Sequence, residues 1–171
     1  METAIRKQMT INPVVMDLLN NQIALEMKAS ASYLGMASWC DQRELLNSKE
    51  FFYKQAEEER EHAMKIFEFV NDNGGAALSP EVKNVNNEYE SLLSIYEASL
   101  DQEIQVTQSI YKIFKSARKE DDFVTEIFLQ WFITEQAEEE DKFRSIIDVF
   151  GLMEGMPLKI CLLYTSPSPR D

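Results

Sequence analysis

Four long stretches of this chain place apolar residues at steps of three and four, which is the spacing of an amphipathic α-helix. Each runs for roughly 25–30 residues between typical helix-starting and helix-ending residues, such as Pro13 at one start and Gly74 after one end. The predicted helices cover residues 12–40, 47–73, 88–119 and 121–151. The sequence therefore predicts an all-α fold.

The connections between these stretches favour one topology. Residues 41–47 and 119–122 are short links, so helices one and two, and helices three and four, should form antiparallel hairpins. The link at 74–87 is longer and, at roughly 3.3 Å per residue when extended, it can run the length of a helix. We therefore expect a four-helix bundle made of two antiparallel hairpins joined by one long crossover.

The last residues do not continue the helical pattern. We assign residues 1–155 to one domain and residues 156–171 to a C-terminal tail. The tail contains Ser-Pro-Ser-Pro at 166–169, which cannot lie inside a helix because proline lacks the backbone donor and restricts the residue before it. We predict that the tail is disordered or non-native, and we assign it no function.

The charge balance limits the possible partners. The chain carries 30 acidic and 17 basic residues, a net charge of −13, which argues against nucleic acid and anionic membranes and favours cations. The sequence shows no run resembling a signal peptide and no stretch of about 18 apolar residues. Its two cysteines form no metal-ligand pattern. We expect a cytoplasmic protein with reduced thiols.

A polar residue interrupts the apolar stripe near the middle of every predicted helix. The interrupting residues are Glu26, Glu59 with His62, Glu103, and Gln136 with Glu139. Burying a carboxylate costs on the order of several kcal/mol unless a cation or hydrogen bonds compensate it. His62, the only histidine, follows Glu59 by three residues and shares its helix face. Because no Lys or Arg lies on these stripes beside the carboxylates, we predict that metal ions bind there.

The ligand types indicate which metals fit. One imidazole with several carboxylates and no thiolate suits Fe(II), Mn(II) or Zn(II). Two divalent ions would neutralise the three carboxylates of Glu26, Glu59 and Glu103 and leave a single positive charge. The expected ligands are Glu59 between the two ions, Glu26 and His62 on the first, and Glu103 and Gln136 on the second. Tyr33 lies two helical turns after Glu26 on the same face, so we expect it either to hydrogen-bond a site carboxylate or to give up an electron.

Three segments also resemble a known family. Residues 55–62, QAEEEREH, and residues 129–140, LQWFITEQAEEE, look like the second-helix and fourth-helix motifs of prokaryotic-type, non-haem ferritins. Residues 33–40, YLGMASWC, are similar to that family's first helix, and the likeness spans residues 12–155. The resemblance implies the ferritin-like four-helix bundle, whose two hairpins and long crossover match the topology expected above.

The resemblance also implies a function and a set of site residues. Its dinuclear ligands are those named above, with Glu59 shared between a site A and a site B and with Tyr33 beside the centre. A third iron site, facing the inner cavity, matches Glu58, Glu135, Glu138 and Glu139. The family forms hollow 24-subunit homo-oligomeric shells that oxidise Fe(II) with dioxygen or peroxide and store Fe(III) as a hydrated oxide. The chain is thereby expected to be a ferroxidase and iron-storage protein.

Departures from related families narrow this expectation. Bacterioferritins and rubrerythrins carry a second Glu-x-x-His, whereas this chain has EQAE, residues 135–138, at the matching place and no second histidine. Arg60 stands where bacterioferritins have their haem-ligating methionine, so we expect no haem. The tail stands where ferritins usually have a short fifth helix, and whether this chain forms one is left open.

Two functions of other classes stay open at this point. A non-storage di-iron or di-manganese redox enzyme would need a pocket for an organic substrate, and the bulky stripe residues Ile66, Phe132 and Phe143 argue against one. A structural bundle without metal would use the same residues differently, because a lone histidine in a helical core is usually structural and acidic runs usually face solvent.

Overall fold

The computed structural model describes residues 10–152, and over this range the chain forms helices and no strand. The helices are α1 Pro13–Asp41, α2 Leu46–Asp72, α3 Leu92–Lys119 and α4 Phe123–Leu152. α1 packs against α2, α3 packs against α4, and α1 also contacts α3. The predicted all-α four-helix bundle is confirmed, and the helix ends differ from the predicted ones by a few residues.

Residues 73–91 carry the chain from one end of the bundle to the other. Near the start of α1, the side-chain oxygen of Asn20 accepts a hydrogen bond from the backbone N–H of Leu78 at 2.8 Å. Near the end of α1, the indole N–H of Trp39 donates to the carbonyl oxygen of Tyr89 at 3.1 Å. The crossover therefore runs the length of the bundle, as the sequence predicted, and it lies along α1. α3 begins at the opposite end from where α2 finishes.

Asp122 joins the starts of α1 and α4 at one end of the bundle. Its two carboxylate oxygens accept hydrogen bonds from the backbone N–H of Asn12 at 2.9 Å and of Thr125 at 3.1 Å. Asn12 caps α1 in turn by accepting from the N–H of Val14. These side chains take the place of the missing hydrogen-bond partners of a first helical turn. Because α1 and α4 start together, they run in the same direction.

The start of α2 differs from the predicted one. The sequence placed it at residues 47–48, whereas α2 begins at Leu46, and Leu45 before it makes no capping side-chain hydrogen bond. Ser48 is instead buried inside the helix and accepts a hydrogen bond from the hydroxyl of Tyr96 at 3.1 Å. A partner on α3 therefore satisfies the hydroxyl of this serine in the first turn of α2.

Two apolar clusters fill the bundle, and the interrupted stripes lie between them. One cluster includes Ile23 of α1, Ile66 of α2, Ile110 of α3 and Phe132 of α4. The other includes Tyr33 of α1, Phe52 of α2, Tyr96 of α3 and Phe143 of α4. Along each helix, the polar residues that interrupt the stripe lie between a residue of one cluster and a residue of the other. The polar residues of the four helices therefore meet in a layer in the middle of the bundle.

The remaining expectations about the chain ends concern residues that the structure does not describe. The tail at 156–171, the fifth helix and the domain boundary at 155 lie outside residues 10–152. Within the described range, no helix is both long enough and apolar enough to span a membrane.

Candidate metal centre

Glu26, Glu59 and His62 form one group in the middle of the bundle. All three side chains are buried, and one ligand atom from each lies within 4.8 Å of the others. Nδ1 of His62 is 3.6 Å from a carboxylate oxygen of Glu59, one helical turn earlier. α1 supplies the first residue and α2 the other two, because the hairpin brings their polar positions to the same height. The structure therefore brings together the residues expected around the first ion.

Glu103 and Gln136 form the other half of the layer, on α3 and α4. The amide Nε2 of Gln136 donates to a carboxylate oxygen of Glu103 at 3.1 Å and lies 3.4 Å from its carbonyl oxygen. The hydroxyl of Tyr33 donates to the other carboxylate oxygen of Glu103. All three residues are fully or almost fully buried. Of the two roles expected for Tyr33, the hydrogen bond to a site carboxylate is present.

When the carboxylates are ionised, several atoms of this layer have no hydrogen-bond partner. They are Oε2 of Glu26, both carboxylate oxygens of Glu59, Nδ1 of His62 and Oε1 of Gln136. In the described part of the chain, only three other buried side-chain atoms share this condition, on Gln22, Gln102 and Thr125. A buried polar atom without a partner costs about 1–3 kcal/mol. Acceptor atoms from four side chains in one buried layer fit a cation as their common partner.

Burial and mutual repulsion hold protons on these carboxylates. Burial first, and then the neighbouring charge of Glu59, raise the pKa of Glu26 well above its ordinary value. Burial and the charge of Glu103 raise the pKa of Glu59 in the same way. Burial also raises the pKa of Glu103 to about 7, although the hydrogen bonds from Tyr33 and Gln136 oppose the shift. Divalent cations would favour the ionised forms and so release these protons on binding.

The four glutamates expected at a third site lie on α2 and α4 beside this layer. Glu139 is 3% exposed, Glu58 and Glu135 are half-buried, and Glu138 is exposed. The charge of Glu139 contributes to the raised pKa of both Glu59 and Glu103. Among the described residues, however, the acidic and histidine ligand atoms close enough to hold one ion are those of Glu26, Glu59 and His62, and the four glutamates do not form a second such group. Burial, with the charges of Glu139 and Glu138, raises the pKa of Glu135.

A basic side chain from outside the apolar stripe accompanies Glu139. The ammonium group of Lys142 lies 2.8 Å from both of its carboxylate oxygens. It also lies 2.8 Å from Oε1 of Gln55 and 3.4 Å from a carboxylate oxygen of Glu58. Lys142 is not on the apolar stripe, but it follows Glu139 by three residues and its long side chain reaches back to the carboxylate. Burial lowers the pKa of Lys142, but the attraction of Glu139 and Glu58 outweighs it and the net shift is upward.

Two amides also support the site carboxylates. Gln22, which the sequence reasoning did not consider, is fully buried and donates to Glu26 at 2.8 Å. Gln55, one of the stripe residues, donates to Glu139 at 3.0 Å. Gln22 precedes Glu26 by four residues on the same helix, so an i, i+4 amide–carboxylate search would have found it. Such partners fix the orientation of metal ligands.

Aromatic rings enclose His62. The ring of Trp131 meets the imidazole edge-on at 5.4 Å between ring centres, and the ring of Phe132 does so at 6.0 Å. The ammonium of Lys65 lies 3.8 Å from the centre of the Trp131 ring, which is 40% exposed. These contacts hold the imidazole in one orientation, and Trp131 separates it from solvent on one side.

The sequence of this chain is similar to those of known iron proteins. The sequence model of the ferritin-like domain family, Ferritin, matches residues 16–153. A bacterial non-heme ferritin of Staphylococcus saprophyticus is 38% identical over 138 residues, which is 81% of this chain and 83% of the relative. A bacterial non-heme ferritin of Staphylococcus epidermidis is 39% identical over 130 residues, 76% of this chain and 78% of the relative.

The fold is also similar to those of solved structures. An open pore ferritin from the hyperthermophilic archaeon Archaeoglobus fulgidus superposes with a TM-score of 0.88 at 33% identity, covering 95% of this chain and 99% of that one. A Chlorobium tepidum ferritin superposes with a TM-score of 0.82 at 35% identity, covering 85% of this chain and 89% of that one. Both likenesses extend over most of this chain.

Proposed function

The chain belongs to the ferritin family, and on this premise we propose that it oxidises Fe(II) at the buried dinuclear centre and stores the product as a ferric oxide mineral. The observation that carries the proposal is the set of unpartnered acceptor atoms on Glu26, Glu59, His62 and Gln136. Their chemistry suits iron, and iron storage agrees with the ferritin names of the two staphylococcal relatives.

The five ligands divide unevenly between the two ions. Glu59, whose two oxygens both lack a hydrogen-bond partner, bridges them. The first iron is held by Glu26 and His62, and the second by Glu103 and Gln136. The second site contains an amide oxygen, a weaker ligand, where the first site has an imidazole nitrogen. The carboxylate of Glu103 at the second site also accepts hydrogen bonds from Tyr33 and Gln136. Iron therefore binds less tightly at the second site and leaves it more readily.

The reaction is an electron transfer from iron to the oxidant. Two Fe(II) ions each lose one electron, and dioxygen takes up both electrons with two protons to give hydrogen peroxide. With peroxide as the oxidant, the same two electrons and two protons give two waters. The protein holds the two metals together and supplies carboxylates that balance the increasing positive charge. No protein nucleophile takes part.

Oxidised iron then moves toward an acidic surface for storage. Glu58, Glu135, Glu138 and Glu139 lie beside the dinuclear centre and form a third cation position on the side that faces the inner cavity of a shell. The shell contains 24 copies of the chain. Large exposed apolar side chains support assembly because a monomer would leave them in water; they include Leu34, Leu78, Val82, Phe123 and Ile127.

We expect the protein to work in the cytoplasm. The free, buried thiol of Cys40 fits the expected reducing cytoplasm.

Ile66, Phe132 and Phe143 are fully buried in the apolar clusters around the centre. They fill the space that an organic substrate would need, which favours storage over a non-storage di-iron enzyme. The absence of a second histidine at the Gln136 position also favours iron that passes through the centre.

Aerobic iron oxidation tests this function. Addition of Fe(II) in air should give rapid ferric absorbance with the wild type and a strongly slowed rise with Glu59→Ala or His62→Ala. Glu61→Ala is the matched control, because Glu61 lies on the same helix with an exposed side chain. Equal rates in all four proteins would rule out the proposed centre. A particle of about 24 subunits supports storage, whereas a monomer or dimer would favour the non-storage enzyme.

A further inference from the structure

The third group of carboxylates differs from the dinuclear centre in how its acceptor atoms are satisfied. At the centre, both oxygens of Glu59 lack a hydrogen-bond partner. At the third position, both oxygens of the buried Glu139 are bonded: one accepts from Gln55, and both accept from Lys142. The carboxylate of Glu59 is therefore free to bind a metal ion, whereas the carboxylate of Glu139 is already paired with the ammonium group of Lys142.

The surroundings of the Lys142 ammonium resemble those of a bound cation. Four oxygen atoms surround it: the two of Glu139 and Oε1 of Gln55, each at 2.8 Å, and one of Glu58 at 3.4 Å. Carboxylate and amide oxygens are also the usual ligands of hard divalent ions. Glu58 and Glu139 are two of the four residues expected at the third iron position, so iron bound there would need oxygens that Lys142 now holds.

We propose that the ammonium group of Lys142 occupies the third cation position and competes there with iron. This inference rests on the proposed function, since it concerns the order in which the same site is filled. The dinuclear centre loads first because none of its ligand atoms is held by a basic side chain in the described structure. The third position loads only when iron displaces Lys142, whose side chain is 24% exposed and can swing toward solvent.

Competition between Lys142 and a metal ion lowers the affinity of the third position. A cation that enters the third position must break the ion pair between Lys142 and Glu139, and this loss is subtracted from its binding free energy. The third ion is therefore weaker than the first two in the wild type. Removal of the positive charge leaves Glu139 buried without an ionic partner and strengthens the site. We expect the third affinity to rise about tenfold or more, since about 1.4 kcal/mol is sufficient for that factor.

Equilibrium titration with Zn(II), which is not oxidised, tests the competition on the assembled full-length protein. Bound Zn(II) per subunit is measured for the wild type, Lys142→Met and Lys142→Arg. Lys142→Gln is a second variant, because its amide can still donate to Glu139 and preserve the fold if the methionine variant does not assemble. Lys112→Met is the control, since Lys112 is an exposed lysine on α3.

The expected result is two tight ions and a weak third in the wild type, the arginine variant and the control. The methionine and glutamine variants should bind the third ion at least about tenfold more tightly, with the first two unchanged. A third affinity that is the same in all five proteins would overturn the competition, as would three equally tight ions in the wild type. A wild type that binds no tight pair of Zn(II) ions would instead overturn the dinuclear assignment itself. Glu59→Ala identifies which ions these are.

Discussion

The hydroxyl of Tyr33 donates a hydrogen bond to the carboxylate of Glu103, which lies 70 residues later in the chain. This bond links α1 of the first hairpin to α3 of the second across the long crossover. It also fixes one oxygen of an expected iron ligand. Burial raises the pKa of Tyr33 well above its ordinary value, so the phenol stays protonated and keeps donating near neutral pH.

Tyr33→Phe should therefore weaken the second iron site without abolishing oxidation. A hydrogen bond to a charged group contributes about 1.5–3 kcal/mol, part of which is lost in orienting Glu103, so the second-site affinity should fall roughly tenfold. Anaerobic Fe(II) titration measures the affinity, and stopped-flow absorbance measures the oxidation rate. Complete loss of oxidation with both affinities intact would show that the tyrosine supplies an electron instead.

The raised pKa values predict how the stability of the protein without bound cations depends on pH. Glu26, Glu59 and Glu103 bind protons more tightly in the folded state than in the unfolded chain, where the ordinary carboxyl value is 4.5. Their contribution to stability is complete below that value. This stabilisation is lost as the pH rises through the pKa values of the three residues in the folded state. For Glu103 that pKa is about 7. Stability should therefore fall between about pH 5 and pH 8.

Thermal unfolding in the presence of a chelator measures this fall. We expect the melting temperature to drop by about 5 °C or more over that range. Glu26→Gln with Glu103→Gln should flatten the dependence, because the amides do not ionise. Added Zn(II) should reverse it, since cations bind the ionised carboxylates of the folded state. A melting temperature that rises with pH in the chelated wild type would contradict the assigned direction.

The fold was predictable from the sequence because its helices are long and periodic. Asn12 with Pro13 and Gly74 indicated real helix ends, and the length of the crossover distinguished two hairpins from other arrangements. The start of α2 was less predictable, because Ser48 is part of a tertiary contact with Tyr96 and does not act as a cap. Local patterns identify helices well and assign single polar residues at their ends less well.

The candidate site was only partly predictable. Spacing along one helix placed Glu59 and His62 on one face, and interrupted stripes identified Glu26, Glu103 and Gln136. The position of Lys142 outside the apolar stripe does not reveal its contact with Glu139, because its long side chain reaches the carboxylate from a neighbouring face of the helix. The hydrogen-bond partner of Tyr33 could not be assigned from the sequence, because Glu103 lies on another helix.

The amide of Gln136 predicts how the second site can be altered. Its Nε2 donates to Glu103, and its Oε1 has no hydrogen-bond partner. Gln136→Glu replaces the donor by a like charge and adds a fourth carboxylate to the centre. The second ion should bind about tenfold more tightly, and repeated turnover should slow because ferric iron leaves less readily. Anaerobic titration and the rate of a second addition of Fe(II) in air measure the two effects. Faster turnover than the wild type would contradict the weak-ligand role of the amide.

The close approach of the crossover to α1 can be tested at Gly35. A Cβ added there would lie 2.9 Å from the carbonyl oxygen of Asn86 and 2.9 Å from Oδ1 of Asn87. The Asn87 side chain can move aside, but the Asn86 carbonyl belongs to the backbone of the crossover. Gly35→Ala should therefore displace the crossover and lower the free energy of unfolding by about 1–3 kcal/mol, despite the better helix propensity of alanine.

Gly151→Ala is the matched control for this prediction. Gly151 also lies in a helix, α4, and an added Cβ there would meet nothing within 4 Å. This substitution should leave stability unchanged or raise it slightly, because alanine is the better helix former by about 1 kcal/mol. Urea unfolding of both variants in the chelated state separates the steric effect from the effect of bound cations. Equal stabilities would mean that the crossover does not press against α1 at Gly35, and the contact that sets its path would then lie elsewhere, at Asn20 or Trp39.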